Sequence, residues 1–335
     1  MSAGDGQLLT RARKRELLRG AAACAVQAPS SHNTQPWRFR LTDAGLEVSR
    51  DRSRQLDVID PDARQLTLSC GCALYNARVA IRNAGFLDVV EPFPDSRRPE
   101  LVARVSLGLA RSPIDDDRGL LAAVPRRATN RRPFHDRPVS QGIADELARA
   151  ARRERAWMHR LSPEHKHALA ELVAQADRVQ YADPAFRDEL GKWLTGTGSL
   201  RKDGIPFAEK EYGSALPFTV ARRLRTLDLG ERFGELEQAL IESSPLVVVL
   251  ATQRDEPIDW LDAGQALQAV LLRATVHDLA AAFLGQVLEE PALRARIEGL
   301  LGAAAIPQAV LRLGYADPVT RLAPRRELDD VLTED

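Results

Sequence analysis

The stretch Ala28-Pro29-Ser30-Ser31-His32-Asn33-Thr34-Gln35-Pro36-Trp37 decides how this chain is read. Hydroxyls and two side-chain amides are packed between an apolar helical run and a strand. Their donors and acceptors, closely spaced, suit the mixed edge of a pyrimidine-like ring. His32 stands inside the stretch, where it either faces such a ligand or caps the helix before it.

On the upstream side, Leu8 to Val26 carries apolar residues at helical spacing and stops at Pro29. Downstream, Trp37 to Leu41 and Leu46 to Ser49 alternate like two strands around Asp43-Ala44-Gly45. Gln65 to Ala84 reads as a helix apolar on most faces, closed by Gly85, and such a helix belongs in a core. A strand over Leu101 to Leu107 precedes a polar hinge around Arg111 to Arg118. Helices are expected at Ile143 to Arg153, Pro163 to Gln180 and Pro184 to Leu194, the second headed by Ser162. From Thr195 to Phe233 the pattern breaks up into a long irregular insertion, read either as a lid or as a surface loop. Leu246 to Ala251 is fit for an interior strand, Asp259 to Val276 for a long apolar helix, and Ala309 to Leu313 for a last strand before a basic tail. The two long apolar helices share a pattern: Gly71-Cys72-Ala73-Leu74 matches Gly264-Gln265-Ala266-Leu267. Two similar buried helices predict a core with pseudo-twofold symmetry.

A length of 335 residues suits two intimately packed halves. Acidic and basic residues balance at 47 each, which argues against nucleic acid or an anionic membrane as partner. Cys24, Cys70 and Cys72 have neither a disulfide framework nor zinc spacing and read as free thiols. His165 and His167, two apart on one helix, face away from each other, so no metal site is expected. No secretory leader or membrane span is visible, and the expectation is a cytoplasmic protein. No Gly-x-Gly-x-x-Gly follows a strand, so a nicotinamide would have to stack directly on another cofactor.

Arg127, Thr129 and Arg131 alternate, and in an extended segment they would form a fork of charge-assisted donors for a dianion. Taken as residues alone, the segment reads first as a solvated basic turn of an Arg-rich protein. Near the end of the sequence, Pro324-Arg325-Arg326 follows Leu313-Gly314-Tyr315, and Leu284-Gly285-Gln286 follows the second long helix.

The loop at 28–37 resembles the Pro-Ser-x-x-Asn-x-Gln-Pro-Trp loop of flavin-dependent nitroreductases. The Arg-x-Thr-x-Arg segment is similar to the one that grips FMN phosphate in that family, and the basic pair after the Gly-Tyr turn to another contact of the same phosphate. Leu284-Gly285-Gln286 falls where nitroreductases bring backbone amides to the flavin edge. Many of them carry an acid there, and Gly285 would remove a proton relay. The first half owns the Ser-Asn-Gln loop and the second the arginines, an arrangement similar to the Acg-like nitroreductase-related flavoproteins. That resemblance runs through Asp60 to Gly71, Thr129 to Arg132, Gly204-Ile205-Pro206, Trp260 to Gly264, Gln286 to Glu289 and Pro307 to Tyr315.

What the resemblance implies is an α+β nitroreductase-like fold. Two fused halves, 1–118 and 119–335, would form an intrachain pseudo-dimer with long buried central helices and a lid at about 195–233, a monomer imitating a homodimer. FMN would be held by Arg127, Thr129, Arg131 and Arg325 at the phosphate, and by Ser30, Ser31, Asn33 and Gln35 around the ring and ribityl chain. Gly285 and Gln286 would lie at the ring edge. NAD(P)H would reduce the flavin and a small-molecule nitro or quinone acceptor would reoxidise it, with no protein nucleophile. The alternative is a lid-covered flavin store without reductase activity; a flavin dehydrogenase acting on a peptide or other metabolite shares the fold.

Overall fold

The computed structural model describes residues 9–196, 199–206, 228–302, 305–319 and 323–335. Most of the expected lid lies outside the described residues.

α1 (Arg11–Ala25) begins at Thr10, whose side chain accepts from Arg13 N, and leads into the 28–37 loop. β1 (Trp37–Leu41) and β2 (Leu46–Arg50) form an antiparallel hairpin in which Trp37 faces Arg50 and Leu41 faces Leu46. α2 (Arg64–Asn83) is capped from outside, since both carboxylate oxygens of Asp60 accept from Gln65 N and Leu66 N. After it come β3 (Phe86–Pro92), β4 (Leu101–Ala110), α3 (Asp115–Ala123), α4 (Gln141–Arg153), β5 (Trp157–Arg160), α5 (Pro163–Ala182) and α6 (Pro184–Trp193). The expected polar hinge around 111–118 is therefore half helix, with three aspartates in its first turn, where the helix dipole favours them. That helix also crosses position 118, where the sequence divides the halves.

Short strands β6 (Leu194–Thr195) and β7 (Ile205–Pro206) close the base of the insertion. Then follow α7 (Gly230–Glu242), β8 (Leu246–Thr252), α8 (Pro257–Val276), β9 (Ala280–Phe283), α9 (Gln286–Glu289), α10 (Pro291–Leu301), β10 (Ile306–Gly314) and β11 (Leu332–Glu334).

The strands form two main sheets. One has the order β11-β1-β2-β4-β3, the other β5-β8-β10-β9. Every residue of β8 is buried, as its unbroken apolar run requires of an interior strand. β11 returns from the far end of the sequence to pair parallel with β1, Phe39 opposite Leu332.

Between the sheets α2 packs along α8, and the shared glycine pattern shows why. A Cβ on Gly71 would lie 2.4 Å from Leu261 O and 2.9 Å from Gly264 Cα. A Cβ on Gly264 would lie 2.1 Å from Leu68 O and 2.9 Å from Gly71 Cα. The two glycines thus meet at the helix crossing, each against the carbonyl three residues ahead of the other. Only residues without a side chain let the backbones approach this closely. Cys72 Sγ donates to Gly264 O, and Gln268 Nε2 donates to Asn76 Oδ1 across the same contact. All three cysteines are free, and burial raises the Cys24 and Cys72 thiols to about 12. Among the described residues no helix is long and apolar enough to cross a membrane.

Candidate functional site

The 28–37 loop holds its shape under backbone strain. His32, Asn33 and Gln35 have φ of 48°, 52° and 50°, a left-handed region that residues other than glycine seldom visit. Side chains fix it there: Ser30 Oγ accepts from Gln35 N, and Asn33 Nδ2 donates to the carbonyls of Gly204 and Pro324. Asn33 Oδ1 accepts from Arg325. Strain retained by that many contacts marks a loop shaped for contact with something else.

It faces a cleft of about 350 Å³, in the size range of small-molecule sites. Of the ten residues singled out in the sequence, nine line it: Ser30, Ser31, Asn33, Arg127, Thr129, Arg131, Gly285, Gln286 and Arg325. Gln35 does not. It is fully buried beneath the loop, its Nε2 donating to Lys202 O at 2.8 Å and its Oε1 accepting from Arg326 N at 2.8 Å. The amide expected around the ring and ribityl chain instead ties the loop to the insertion base and to the 323–335 segment.

The fork of alternating arginines also divides. Only Thr129 of this segment makes a strand-like bridge, to Ala281, while Arg127 N still bonds back to Ala123 O at the end of α3. Arg127 lies in the field of Arg325 and Cys72, whereas Arg131 acts on His32, Glu237 and Arg312. Arg127 is 8% exposed, yet its Nε and Nη1 have no hydrogen-bond partner among the described residues. Burial pulls it down to about 10. Arg325 follows the same course: burial first, then Arg127, bring it to about 9, and its Nε is also unpartnered among the described residues. Two cations set close together, with no acid paired to either among the described residues, form a basic pole that an anion would neutralise. His32 is kept neutral, lowered to about 4 by burial and by Arg131, and its Nδ1 is unpartnered there as well.

A second group of residues was not singled out in the sequence. Glu289 takes Gln65 Nε2 on one carboxylate oxygen at 2.9 Å and Gln180 Nε2 on the other at 2.8 Å, and Ser31 Oγ donates to Gln65 Oε1. A Cβ on Gly285 would lie 3.0 Å from Glu289 Oε1. Glu289, one helical turn later, thus places a carboxyl beside position 285. Burial raises Glu289 and Glu237, and it raises Asp177 to about 8, with Glu237 adding to the effect. A signal for this face was present: Asp177 with Tyr181, and Phe233 with Glu237, each stand four residues apart on one helix, and all four line the cleft.

The cleft therefore has Arg127 and Arg325 together in one part, the carboxyls of Asp177, Glu237 and Glu289 in another, with Arg131 and Arg312 in the field of Glu237, and the polar 30–33 loop in its lining. Such a lining offers charge-assisted donors to an anionic group and hydroxyls and amides to a polar one. Comparison with known proteins bears on the same question from outside the molecule. The profile of the nitroreductase family matches residues 124–315. The chain is 33% identical over 323 residues to the Mycobacterium tuberculosis protein named "Putative NAD(P)H nitroreductase Rv3131", covering 95% of this chain and 91% of that one. It is 29% identical over 329 residues to "Putative NAD(P)H nitroreductase acg" of the same organism, covering 94% and 95%. Among solved structures, the FMN and NADPH-dependent nitroreductase NfnB from sphigopyxis sp. strain HMH aligns with 64% of this chain and 97% of its own, at 22% identity and a TM-score of 0.39. On the profile match and the full-length relative together, this chain belongs to the nitroreductase family.

Proposed function

We propose that the chain binds one FMN in the cleft and uses it to pass reducing equivalents from NAD(P)H to a nitro or quinone acceptor. One observation carries the reading: Arg127 and Arg325 face the same cleft with nitrogens unpartnered among the described residues and no acid between them. A phosphate ester supplies the missing charge and acceptors. Thr129 adds a hydroxyl at that pole, while Ser30, Ser31 and Asn33 offer side-chain donors and acceptors along the ring and ribityl chain. Arg131, set apart from the phosphate pole, places a positive charge near neutral His32, where it favours a ring that gains negative charge on reduction. Gln286 contributes an amide beside Gly285. When bound, the flavin supplies hydride acceptance and delivery; the protein binds, orients and shields.

On this reading the polypeptide is two fused nitroreductase-like halves, the front one supplying the loop and the rear one Arg127, Thr129 and Arg131. The meeting of Gly71 with Gly264 in mirrored contacts supports that arrangement. It acts as a monomer in place of a subunit pair.

The test is a titration of flavin-stripped protein with FMN, followed by anaerobic addition of NADH or NADPH. Stoichiometric binding and bleaching of the flavin by a nicotinamide are expected. Failure to bind overturns the cofactor reading, and binding with reduction by dithionite alone overturns the reductase half.

A further inference from the structure

In the same cleft, two carboxyls lack, among the described residues, the ion-pair partners such groups normally have. Asp177 on α5 is 5% exposed, and its only side-chain hydrogen bond among the described residues is a long one, 3.5 Å from Gln286 Nε2 to Oδ2. Glu237 on α7 is half-buried and accepts no hydrogen bond among the described residues. Neither has a cationic nitrogen within ion-pair distance there. The nearest arginine to Asp177 in sequence, Arg178, reaches Glu231 instead. An ionised carboxylate has about four lone-pair sites to fill, and leaving them empty in a low-dielectric cleft is costly.

The two acids come from neighbouring helices that pack on each other, and both line the cleft. Each has an aromatic residue one turn away on its own helix, Tyr181 and Phe233, whose rings stack at 4.9 Å. The wall at this end is therefore apolar with two carboxyls set into it.

We propose that the second ligand of the cleft is an organic amine in its protonated form, with its ammonium between Asp177 and Glu237 and its apolar body against the α5 and α7 wall. An ammonium brings three donors and one positive charge, which is what the two carboxyls lack. Nitro and quinone compounds carrying such an amine are then the acceptors this site selects over neutral or anionic ones. The inference rests on the flavin reading for the occupant of the basic pole.

Charges around the pair set the pH dependence. Asp177 is raised to about 8 by burial, then by Glu237 and Glu289, with Arg178 opposing; Glu237 is raised by burial and opposed by Arg312 and Arg131. A bound cation stabilises the ionised form of Asp177, so binding releases a proton below about pH 8 and strengthens as the pH rises towards it.

The experiment uses the full chain, FMN-loaded and flavin-stripped, with benzylamine and benzyl alcohol as probes in calorimetric titrations. Benzylamine is expected to bind at least about tenfold tighter than the alcohol. That preference should grow between about pH 6.5 and about pH 8, and Asp177→Asn and Glu237→Gln should each abolish it. Both replacements are close in shape, and an unchanged melting curve for either one shows that the fold is intact. Equal binding of the two probes, a flat pH profile, or a preference surviving in Asp177→Asn overturns the proposal. A protein that refuses FMN yet discriminates the probes overturns the flavin reading instead, so the two fail separately.

Discussion

Replacing Arg127 by Met tests the basic pole in two directions at once. The guanidinium is 8% exposed, has two nitrogens unpartnered among the described residues, and burial brings it from 12.5 to about 10. At 1.36 kcal/mol per pH unit, the buried charge costs the flavin-free fold about 3 kcal/mol. Methionine fills a similar volume without the charge. Flavin-stripped Arg127→Met should therefore unfold at higher denaturant than the parent, by an amount up to that figure. The same replacement removes charge-assisted contacts to a phosphate, each worth roughly 1.5–3 kcal/mol, so FMN affinity should fall by roughly tenfold to 150-fold. Urea unfolding of stripped protein and fluorescence titration with FMN read the two effects separately. A variant that is less stable without flavin and binds FMN unchanged refutes the assignment of Arg127 to an anion.

Three other outcomes follow from the packing and the ion pairs. Gly264→Ala should destabilise the chain by at least about 1–3 kcal/mol, read by thermal unfolding, because its Cβ would lie 2.1 Å from Leu68 O, a backbone atom that cannot turn aside. Glu47 is 2% exposed and accepts from Arg40, Arg98 and Arg104; although burial pushes it up, these bonds together hold it at about 2. Its contribution is present above its ordinary 4.5 and is lost as pH falls towards 2. Glu47→Gln should thus lower neutral-pH stability by about 1–2 kcal/mol, a modest figure because its partners are partly exposed, and flatten the acid limb of the unfolding curve. Asn33→Ala cuts the ties to Gly204, Pro324 and Arg325 together, and should weaken FMN binding about tenfold while leaving the helix crossing intact, read by FMN titration beside a melting curve.

The parts legible in the sequence were those whose cause is local. α2 and α8 announce themselves by apolar residues on most faces, and the glycines where they cross stand out because both helices repeat the same four-residue pattern. The 28–37 loop stands out because its amides and hydroxyls are adjacent, and the structure places Ser30, Ser31 and Asn33 in the lining of the cleft. What escaped depends on the rest of the chain. β3 is an edge strand with Leu87 and Val89 exposed, and β11 is three residues long, held by pairing with β1 nearly three hundred positions earlier. The alternation of Arg127 and Arg131 gives no sign of the neighbours that other elements bring to Arg131, namely His32, Glu237 and Arg312. Gln35 has the right chemistry for a ring edge, but tertiary contacts to Lys202 and Arg326 claim it. The acidic pole joins two helices some sixty residues apart, and its spacing signal becomes meaningful only once α5 and α7 are neighbours.

The return of residues 323–335 to the first sheet has a consequence for biosynthesis. Arg326 N donates to Gln35, Arg325 reaches Asn33, and Glu334 bridges Arg15 and Arg19 of α1. A nascent chain emerging in order would display the loop long before these partners leave the ribosome. The loop therefore gains these contacts only after residues 323–335 have been synthesised, and a ligand that needs its final shape binds after that point rather than to the first half alone.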